Sequence, residues 1–440
     1  MKLNKKAIIL VVFLSTLQVC SQEILTKKEA LKITLKNNFG IKIANNNIEV
    51  ASNNKSIYNT GFLPTVSASS GANYRKGDQT NKREGEVAAT NEAITKSYNA
   101  SISLNYTIFD GLGRKYNYQQ LKETYNLTEL QAKETIENTY LQLFTVYFQI
   151  ARFSNNTDNL SEALAISKRR MQRAKYQYEY GQSTRLELLN AEVDVNNDSI
   201  ALINSKQLLS NAKRGLNVVL GTQKDVNYNV ETNVSFNKLL VFDELRIKTL
   251  SNNTVLKQNE KNIAISEFNV KVNKSNYLPS LGLNTSYGWN KSENPAGAFF
   301  GASTSSFSGI NAGLSLSWNL FDGGSTKTRV SNAKIALVNQ QILLEQQKVN
   351  VENNLKNTWE NYRNQLFVLK AQETNVLTAE NNFKRTEERF KLGQVSSVEF
   401  RQAQINFINS KTAFNNVKFD AKLIELKLLQ LSGDILNVKF

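Results

Sequence analysis

The chain has 440 residues, 40% of them apolar and 21% charged, a balance that excludes both a disordered chain and a bundle of membrane helices. Histidine is absent and cysteine occurs once, at Cys20, which excludes histidine-based catalysis, Cys/His zinc sites and an intramolecular disulfide. The formal net charge is +16. Carboxylates are scattered along predicted helices, and the glycine-rich stretches lack a phosphate-binding pattern. We therefore expect no enzyme, no cofactor and no metal site.

Residues 1–21 have the pattern of a removable export signal. Three lysines precede an apolar run from Ala7 to Leu14, and Ser21 offers a small residue for cleavage. The alternative is a lipoprotein site in which Cys20 is acylated. Both interpretations take the protein out of the cytoplasm, and loss of the three lysines leaves a net charge of +13. No later stretch approaches the ~18 consecutive apolar residues that a membrane helix needs, so a membrane crossing would require strands.

Short motifs recur at a nearly constant spacing of 212 to 215 residues. The pairs are Leu35-Lys36-Asn37-Asn38 with Leu250-Ser251-Asn252-Asn253, Leu63-Pro64 with Leu278-Pro279, Phe109-Asp110-Gly111 with Phe321-Asp322-Gly323, Gly181-Gln182 with Gly393-Gln394, and Gly221 with Gly433. A spacing held over so many motifs predicts an internal duplication. The two structural repeats are expected at 24–240 and 241–440, with the same order of elements.

Each half contains two segments in which apolar residues alternate with small polar ones. This period of two predicts strands at about 63–75 and 98–109, and again at about 280–290 and 309–321. Such lengths suit tilted membrane strands, and Ser, Asn, Thr and Gly on the second face are typical of a water-filled lumen. The alternative is a soluble sheet with one face on a core. Residues 76–96 and 290–309 are expected to be exposed polar loops.

Helices are predicted for most of the remainder. Proline and glycine are absent from residues 114–180 and 325–392, which indicates one very long helix in each half. Gly181 and Gly393 end these helices, and the returning helices carry a heptad seam that Asp198 and Ser205 interrupt in the first half. We thus expect antiparallel helical hairpins at 114–220 and 325–432. Shorter helices are expected at about 26–60 and 243–276.

Four strands in one chain cannot close a barrel, and an open edge in lipid leaves backbone groups unpaired at a cost of several kcal/mol each. Closure therefore requires further copies of the chain. Two copies would give eight strands, whose side chains nearly fill the interior, whereas three copies would give twelve. A conduit favours three.

The repeated motifs together resemble the TolC-like outer membrane efflux proteins, over nearly the whole mature chain. The resemblance rests on Leu63-Pro64, on Phe109-Asp110-Gly111, on Gly181 followed by Glu187-Leu188-Leu189-Asn190-Ala191, and on their counterparts in the second half. It implies a mainly α fold with β, in which a homotrimer shares a 12-stranded β-barrel in the cell outer membrane. It also implies a coiled-coil α-helical barrel in the periplasm that docks to a periplasmic adaptor (membrane fusion protein) and an inner-membrane transporter.

The resemblance implies that the helical turns form the periplasmic entrance of the channel. The residues concerned are Gly181, Glu187, Asn190, Gly393, Glu399, Arg401 and Gln402. By position, Glu399 matches a carboxylate ring that would favour cations, while the alternative is an ordinary solvated helix charge. The sequence departs from the family pattern because Gln402 is uncharged, Arg401 adjoins it, and Val395 stands where a linking arginine is expected.

The sequence thus favours a passive exit duct of a tripartite efflux or type I secretion system, in contact with outer membrane lipid. The alternative is a periplasmic coiled-coil scaffold, either free or lipid-anchored at Cys20. The positive net charge is the one feature that would support nucleic-acid binding. Export from the cytoplasm and the even distribution of the lysines argue against it.

Overall fold

We describe a computed structural model that covers residues 24–222, 227–237, 240–296 and 301–438. The predictions for the signal peptide at 1–21 and for Cys20 lie outside these residues. The strands are β1 (Ile24–Leu25), β2 (Thr65–Arg83), β3 (Glu86–Asp110), β4 (Asn229–Val230), β5 (Ser280–Asn294) and β6 (Ser303–Ser317). The α-helices are α1 (Lys27–Asn37), α2 (Phe39–Asn54), α3 (Gly113–Glu179), α4 (Arg185–Leu220), α5 (Phe242–Asn252), α6 (Thr254–Ser275), α7 (Ser325–Lys391) and α8 (Ser397–Leu431).

The two halves of the chain contain the same order of major elements. Two short helices precede two long strands, which are followed by a 67-residue helix and a returning helix of 36 residues in the first half and 35 in the second. The predicted internal repeat of an α+β fold is therefore confirmed. Within the described residues, no helix is both long and apolar enough to cross a bilayer.

The chain divides into two compact units, and each unit draws on both halves of the sequence. One unit contains residues up to Asn46, Leu130–Lys257 and the chain from Gln346 onward. The other contains Asn47–Glu129 and Gln258–Glu345, including the four long strands.

The helical segments expected at about 26–60 and 243–276 are each divided into two helices. Asn38 and Asn253 have extended backbones with ψ of 130° and 124°, and each side chain caps the helix that follows. The Asn38 carboxamide oxygen accepts a hydrogen bond from the Ile41 N–H at 3.2 Å, and that of Asn253 accepts one from the Leu256 N–H at 3.1 Å. Asparagine breaks these helices because it satisfies the free N–H groups of a new helical turn.

The same two asparagines connect each short helix to the end of the last helix in its own half. Asn38 Nδ2 donates to the Val219 carbonyl at 2.8 Å, and Asn253 Nδ2 donates to the Leu431 carbonyl at 3.0 Å. The repeated Asn-Asn motif therefore marks a repeated tertiary contact.

The long strands form one antiparallel sheet in the order β2-β3-β5-β6. The loop prediction for 76–96 was wrong, because β2 and β3 continue through most of it until Arg83 pairs with Glu86. Glu84 and Gly85 both have positive φ, at 50° and 92°, and form a two-residue turn that joins β2 directly to β3. The second hairpin is likewise longer at its turn than predicted, since β5 reaches Asn294 and β6 begins at Ser303.

The sheet has one apolar face and one face of small polar residues. Cross-strand pairs such as Val66 with Leu104 and Leu283 with Leu314 place apolar side chains side by side. The apolar face includes Ala68, Ala72, Tyr74, Tyr98, Ile102, Tyr106, Leu281, Tyr287, Trp289, Ile310, Ala312 and Leu316. Many of these side chains are exposed in the single chain, with Leu316 70% accessible and Ile310 78%. A sheet packed on its own core would bury this face.

The compact unit that includes Leu130–Lys257 has a buried aromatic core, and we call it the helical unit. Tyr140, Phe144, Tyr147 and Phe148 on α3 pack against one another, and Phe148 stacks on Phe419 of α8 with ring centroids 6.0 Å apart. The Tyr147 hydroxyl donates to the Leu25 carbonyl at 2.6 Å and accepts the Glu231 N–H at 3.0 Å. This core packs α3 against α4 and α8.

Polar residues that interrupt the predicted seam of α4 are paired across it. The Ser205 and Thr157 hydroxyls lie 2.7 Å apart, and the Ser167 hydroxyl donates to Asp198 Oδ2 at 2.6 Å. Each interruption is therefore a buried hydrogen bond between α3 and α4, which satisfies the polar atoms that the seam takes out of water.

Candidate functional site: the helical turns and the charge cluster behind them

Two equivalent turns end the 67-residue helices. Gly181 and Gly393 are left-handed, with φ of 70° and 75°, and nothing lies within 4 Å of the position a Cβ would take. The N–H after each glycine closes the turn, from Gln182 to the Gln177 carbonyl at 2.7 Å and from Gln394 to the Arg389 carbonyl at 2.9 Å. This is the Schellman arrangement, which selects glycine through backbone strain alone.

The two acidic residues predicted for the entrance each bond to their own turn. Glu399 Oε2 accepts hydrogen bonds from the Ser396 N–H at 2.8 Å and the Ser396 hydroxyl at 3.0 Å, while the Glu399 N–H donates to that hydroxyl oxygen, which completes a capping box. Glu187 Oε2 accepts from the Ser183 hydroxyl at 2.9 Å. The backbone and side-chain bonds from Ser396 lower the pKa of Glu399, so this exposed carboxylate is ionised at neutral pH.

The other predicted residues separate into an exposed pair and one inward arginine. Asn190 is exposed, and Gln402 is exposed with its Nε2 donating to Asn406 Oδ1 at 2.9 Å. Arg401 instead turns inward, where only 15% of its side chain is accessible.

Arg401 belongs to a cluster of four charges that joins three helices. Its guanidinium binds Asp198 of α4 in a bidentate pair, with Nη1 2.7 Å from Oδ2 and Nη2 2.8 Å from Oδ1. Its Nε lies 3.4 Å from Asp194 Oδ1, and Asp194 also pairs with Arg170 of α3. We call Arg170, Asp194, Asp198 and Arg401 the charge cluster.

Uncharged groups extend the charge cluster toward the backbone of α3. Arg401 Nη1 donates to the Ser167 hydroxyl at 3.1 Å and to Gln404 Oε1 at 3.2 Å. Gln404 Nε2 donates in turn to the Ala163 carbonyl at 2.9 Å. Helix α8 is thereby bonded to both helices of the first hairpin.

The charge cluster is largely removed from water. Side-chain accessibility is 2% for Arg170, 12% for Asp198 and 23% for Asp194. Burial would raise the pKa of Asp198, but hydrogen bonds from Arg401 and Ser167 outweigh it, and the pKa is lowered. Burial, together with the charge of Arg401, lowers the pKa of Arg170 to about 10. Asp198 and Arg170 are therefore both charged at neutral pH, and the charge cluster contains two carboxylates and two guanidinium groups.

Residues 30–222 and 245–434 match the family described as outer membrane efflux protein. The chain belongs to this family. It is 20% identical to outer membrane protein TolC of Vibrio cholerae over 390 residues, which covers 86% of this chain and 83% of that protein. Membership places the protein in the outer membrane.

Solved structures of outer membrane proteins share the fold of this chain. The Campylobacter jejuni CmeC outer membrane channel superposes with a TM-score of 0.78 at 17% identity, over 93% of this chain and 86% of that chain. The outer membrane protein VceC of Vibrio cholerae superposes with a TM-score of 0.75 at 12% identity, over 92% and 96% of the two chains. At these identities the likeness establishes the fold, here that of an outer membrane efflux channel.

Sequence reasoning missed most of the charge cluster. Asp198 was noticed only as an interruption of a heptad seam, and Arg170 and Asp194 carried no motif. A signal existed in Asp198 at a seam position of α4, because a charge at such a position needs an opposite charge on a facing helix. Among the described residues, no group of three His, Cys, Asp or Glu side chains could hold a metal ion.

Replacing Asp198 with asparagine should destabilise the helical unit by about 3–5 kcal/mol, because the buried Arg401 loses its bidentate partner. The stabilisation by Asp198 is complete above the ordinary aspartate pKa of about 3.9 and is lost as the pH falls through its lowered pKa. The difference between wild type and D198N in thermal unfolding should therefore be full at pH 7 and shrink in acid.

The exposed Glu187→Gln is the matched control, since it removes a carboxylate of α4 that pairs with no buried charge. It should change stability by less than about 0.5 kcal/mol. Equal unfolding temperatures for wild type and D198N at pH 7 would show that the charge cluster does not hold these helices together.

Proposed function

We propose that the protein is the outer-membrane exit duct of a tripartite efflux or type I secretion system and conducts substrates passively from the periplasm to the exterior. The observation that carries the proposal is the four-stranded sheet with one exposed apolar face, in a member of the outer membrane efflux family. The duct has no chemical step of its own, and the energy comes from an inner-membrane transporter.

The apolar face is the surface that meets lipid. Each strand of the sheet has at least 15 residues, more than the ~9–11 that a tilted membrane strand needs. Tyr74, Tyr98 and Trp289 lie on neighbouring rungs toward the hairpin turns, as an aromatic girdle would. The opposite face, rich in Ser and Asn, lines water.

Three copies complete the wall of the duct. Strands β2 and β6 are the two edges of the sheet, and each has one unpaired row of backbone groups. If β2 of one copy pairs with β6 of the next, three four-stranded sheets give a closed barrel of twelve strands. A homotrimer of this kind leaves no open edge in hydrocarbon.

The helical turns form the periplasmic entrance and the docking end. Gly181 and Gly393 end the long helices with the same backbone geometry, so one chain presents two equivalent turns. The exposed residues Glu187, Asn190, Glu399 and Gln402 are available there to a periplasmic adaptor and to the lumen. Repeated in three copies, the two glutamates form rings of negative charge.

Leu316→Lys should reduce assembly in the outer membrane, because a lysine on the lipid face costs up to about 2–4 kcal/mol per copy, depending on its depth in the bilayer. The neighbouring Ser315→Lys places the same charge on the polar face and is the matched control. Oligomers extracted from outer membranes and single-channel conductance in planar bilayers provide the readout.

A reduced yield of membrane oligomers for L316K, with normal assembly for S315K, is the expected result. Normal channels from L316K would show that this face does not meet lipid. A wild-type protein that stays soluble without detergent and forms no channels would instead favour the periplasmic scaffold.

Glu399→Gln should reduce the cation preference of the channel without unfolding the turn. Glutamine can still accept the Ser396 hydrogen bonds of the capping box, so the substitution removes the charge and keeps the local structure. Reversal potentials in a salt gradient measure the change, and Gln402→Glu should move them in the opposite direction. Reversal potentials that match wild type for both variants would remove these residues from the entrance.

A further inference from the structure

The polar face of the sheet is almost free of charge. On the rungs from Thr65 to Gly77, and on their partners along β3, β5 and β6, its residues are Ser, Asn, Thr and Gly with few exceptions. The exceptions within these described strands are Ala93, which pairs with Gly77, Phe307, whose ring packs over Gly309, and Arg75. No carboxylate lies on this part of the polar face.

Arg75 stands on the polar face toward the hairpin turns, the end of the sheet that opens to the exterior in the proposed duct. It pairs with Thr95, follows directly after Tyr74, and is exposed. It lines an open cleft of about 480 Å³, which Asp78 also lines, and it forms no ion pair within 4.0 Å among the described residues. The nearest acid along β2, Asp78, sits at a bulge where its Oδ1 accepts the Glu92 N–H at 2.9 Å.

The other cations at this level lie on the opposite, apolar face. Lys76 is 2.9 Å from Glu92, and Lys291 is 2.6 Å from Glu293. Lys96 shares a rung with that same Glu293. On the rungs from Thr65 to Gly77, the alternation of the strands thus leaves Arg75 as the one charged residue on the polar face among the described residues.

We propose that Arg75 is a specificity-determining residue that makes the outer mouth of the duct prefer anions. The inference rests on the proposed function, since three copies closing a barrel would bring three Arg75 guanidinium groups around one lumen. No carboxylate on the same rungs would neutralise them. The strand-built part of the duct would otherwise conduct without regard to charge, because hydroxyl and carboxamide groups carry no net charge.

The reach of these charges depends on salt. The Debye length is about 30 Å at 0.01 M ionic strength and about 3 Å at 1 M, so the ring acts across a wide lumen only in dilute salt. A low-dielectric barrel wall concentrates the field in the lumen. The preference for anions should therefore fade as the salt concentration rises, which distinguishes a charge ring from a steric filter.

The test is the reversal potential of reconstituted full-length channels in planar bilayers under a KCl gradient, at low and at high total salt. Arg75→Gln should shift it toward cation preference at low salt, and Arg75→Glu should shift it roughly twice as far because the charge change is doubled. Arg75→Lys should keep the wild-type value. Lys76→Gln, which removes an adjacent charge on the other face, is the matched control.

The proposal requires that the shifts for R75Q and R75E disappear near 1 M salt and that K76Q remains like wild type. Unchanged low-salt reversal potentials for R75Q and R75E, or an equal shift for K76Q, would overturn it. Absence of channels in the wild-type protein would contradict the proposed function itself, so the two failures are distinguishable.

Discussion

The rest of the structure depends on how the two free edges of the four-stranded sheet obtain hydrogen-bond partners. Strands β2 and β6 each leave a row of N–H and C=O groups without partners in the sheet. In water these groups bind solvent, but in hydrocarbon each would cost several kcal/mol. The exposed apolar face on this sheet requires hydrocarbon, or an equivalent apolar partner, and the edges then require further strands. Association through the edges satisfies both demands at once.

The helices follow a different principle, in which buried polar contacts specify the packing. Long heptad seams allow neighbouring helices to slide by one heptad with little loss of apolar contact. The Thr157–Ser205 pair and the bidentate Arg401–Asp198 pair fix the register, since a shift would leave their atoms buried and unpaired. Because Arg401 also reaches Asp194, and Asp194 pairs with Arg170, the second hairpin is aligned with the first close to the turns.

Elements dictated by local backbone chemistry could be predicted from the sequence. Gly181 and Gly393 interrupt long runs without glycine or proline, and the left-handed turns stand at those positions. The breaks at Asn38 and Asn253 were missed because asparagine ends a helix only when its side chain caps the next one, which the pattern of apolar residues does not reveal.

Features that depend on distant partners could not be predicted in the same way. The ladder of β2 and β3 extends to Glu84-Gly85 because two polar strands pair with each other, although neither has an alternating apolar pattern there. Arg401 was placed at the entrance by its position in a motif. Its inward orientation depends on Asp194 and Asp198, and Asp198 lies 203 residues earlier in the sequence.

Covalent linkage of the sheet edges tests the central claim most directly. Cys20 is the only native cysteine, and it is removed with the signal if cleavage follows Ser21, so Ser69→Cys on β2 and Asn311→Cys on β6 can supply the reactive thiols. After treatment of outer membranes with a flexible thiol crosslinker, a closed ring of three copies predicts covalent dimers and trimers and nothing larger. Monomers alone, or a ladder that continues beyond three, would contradict a duct built from three shared sheets.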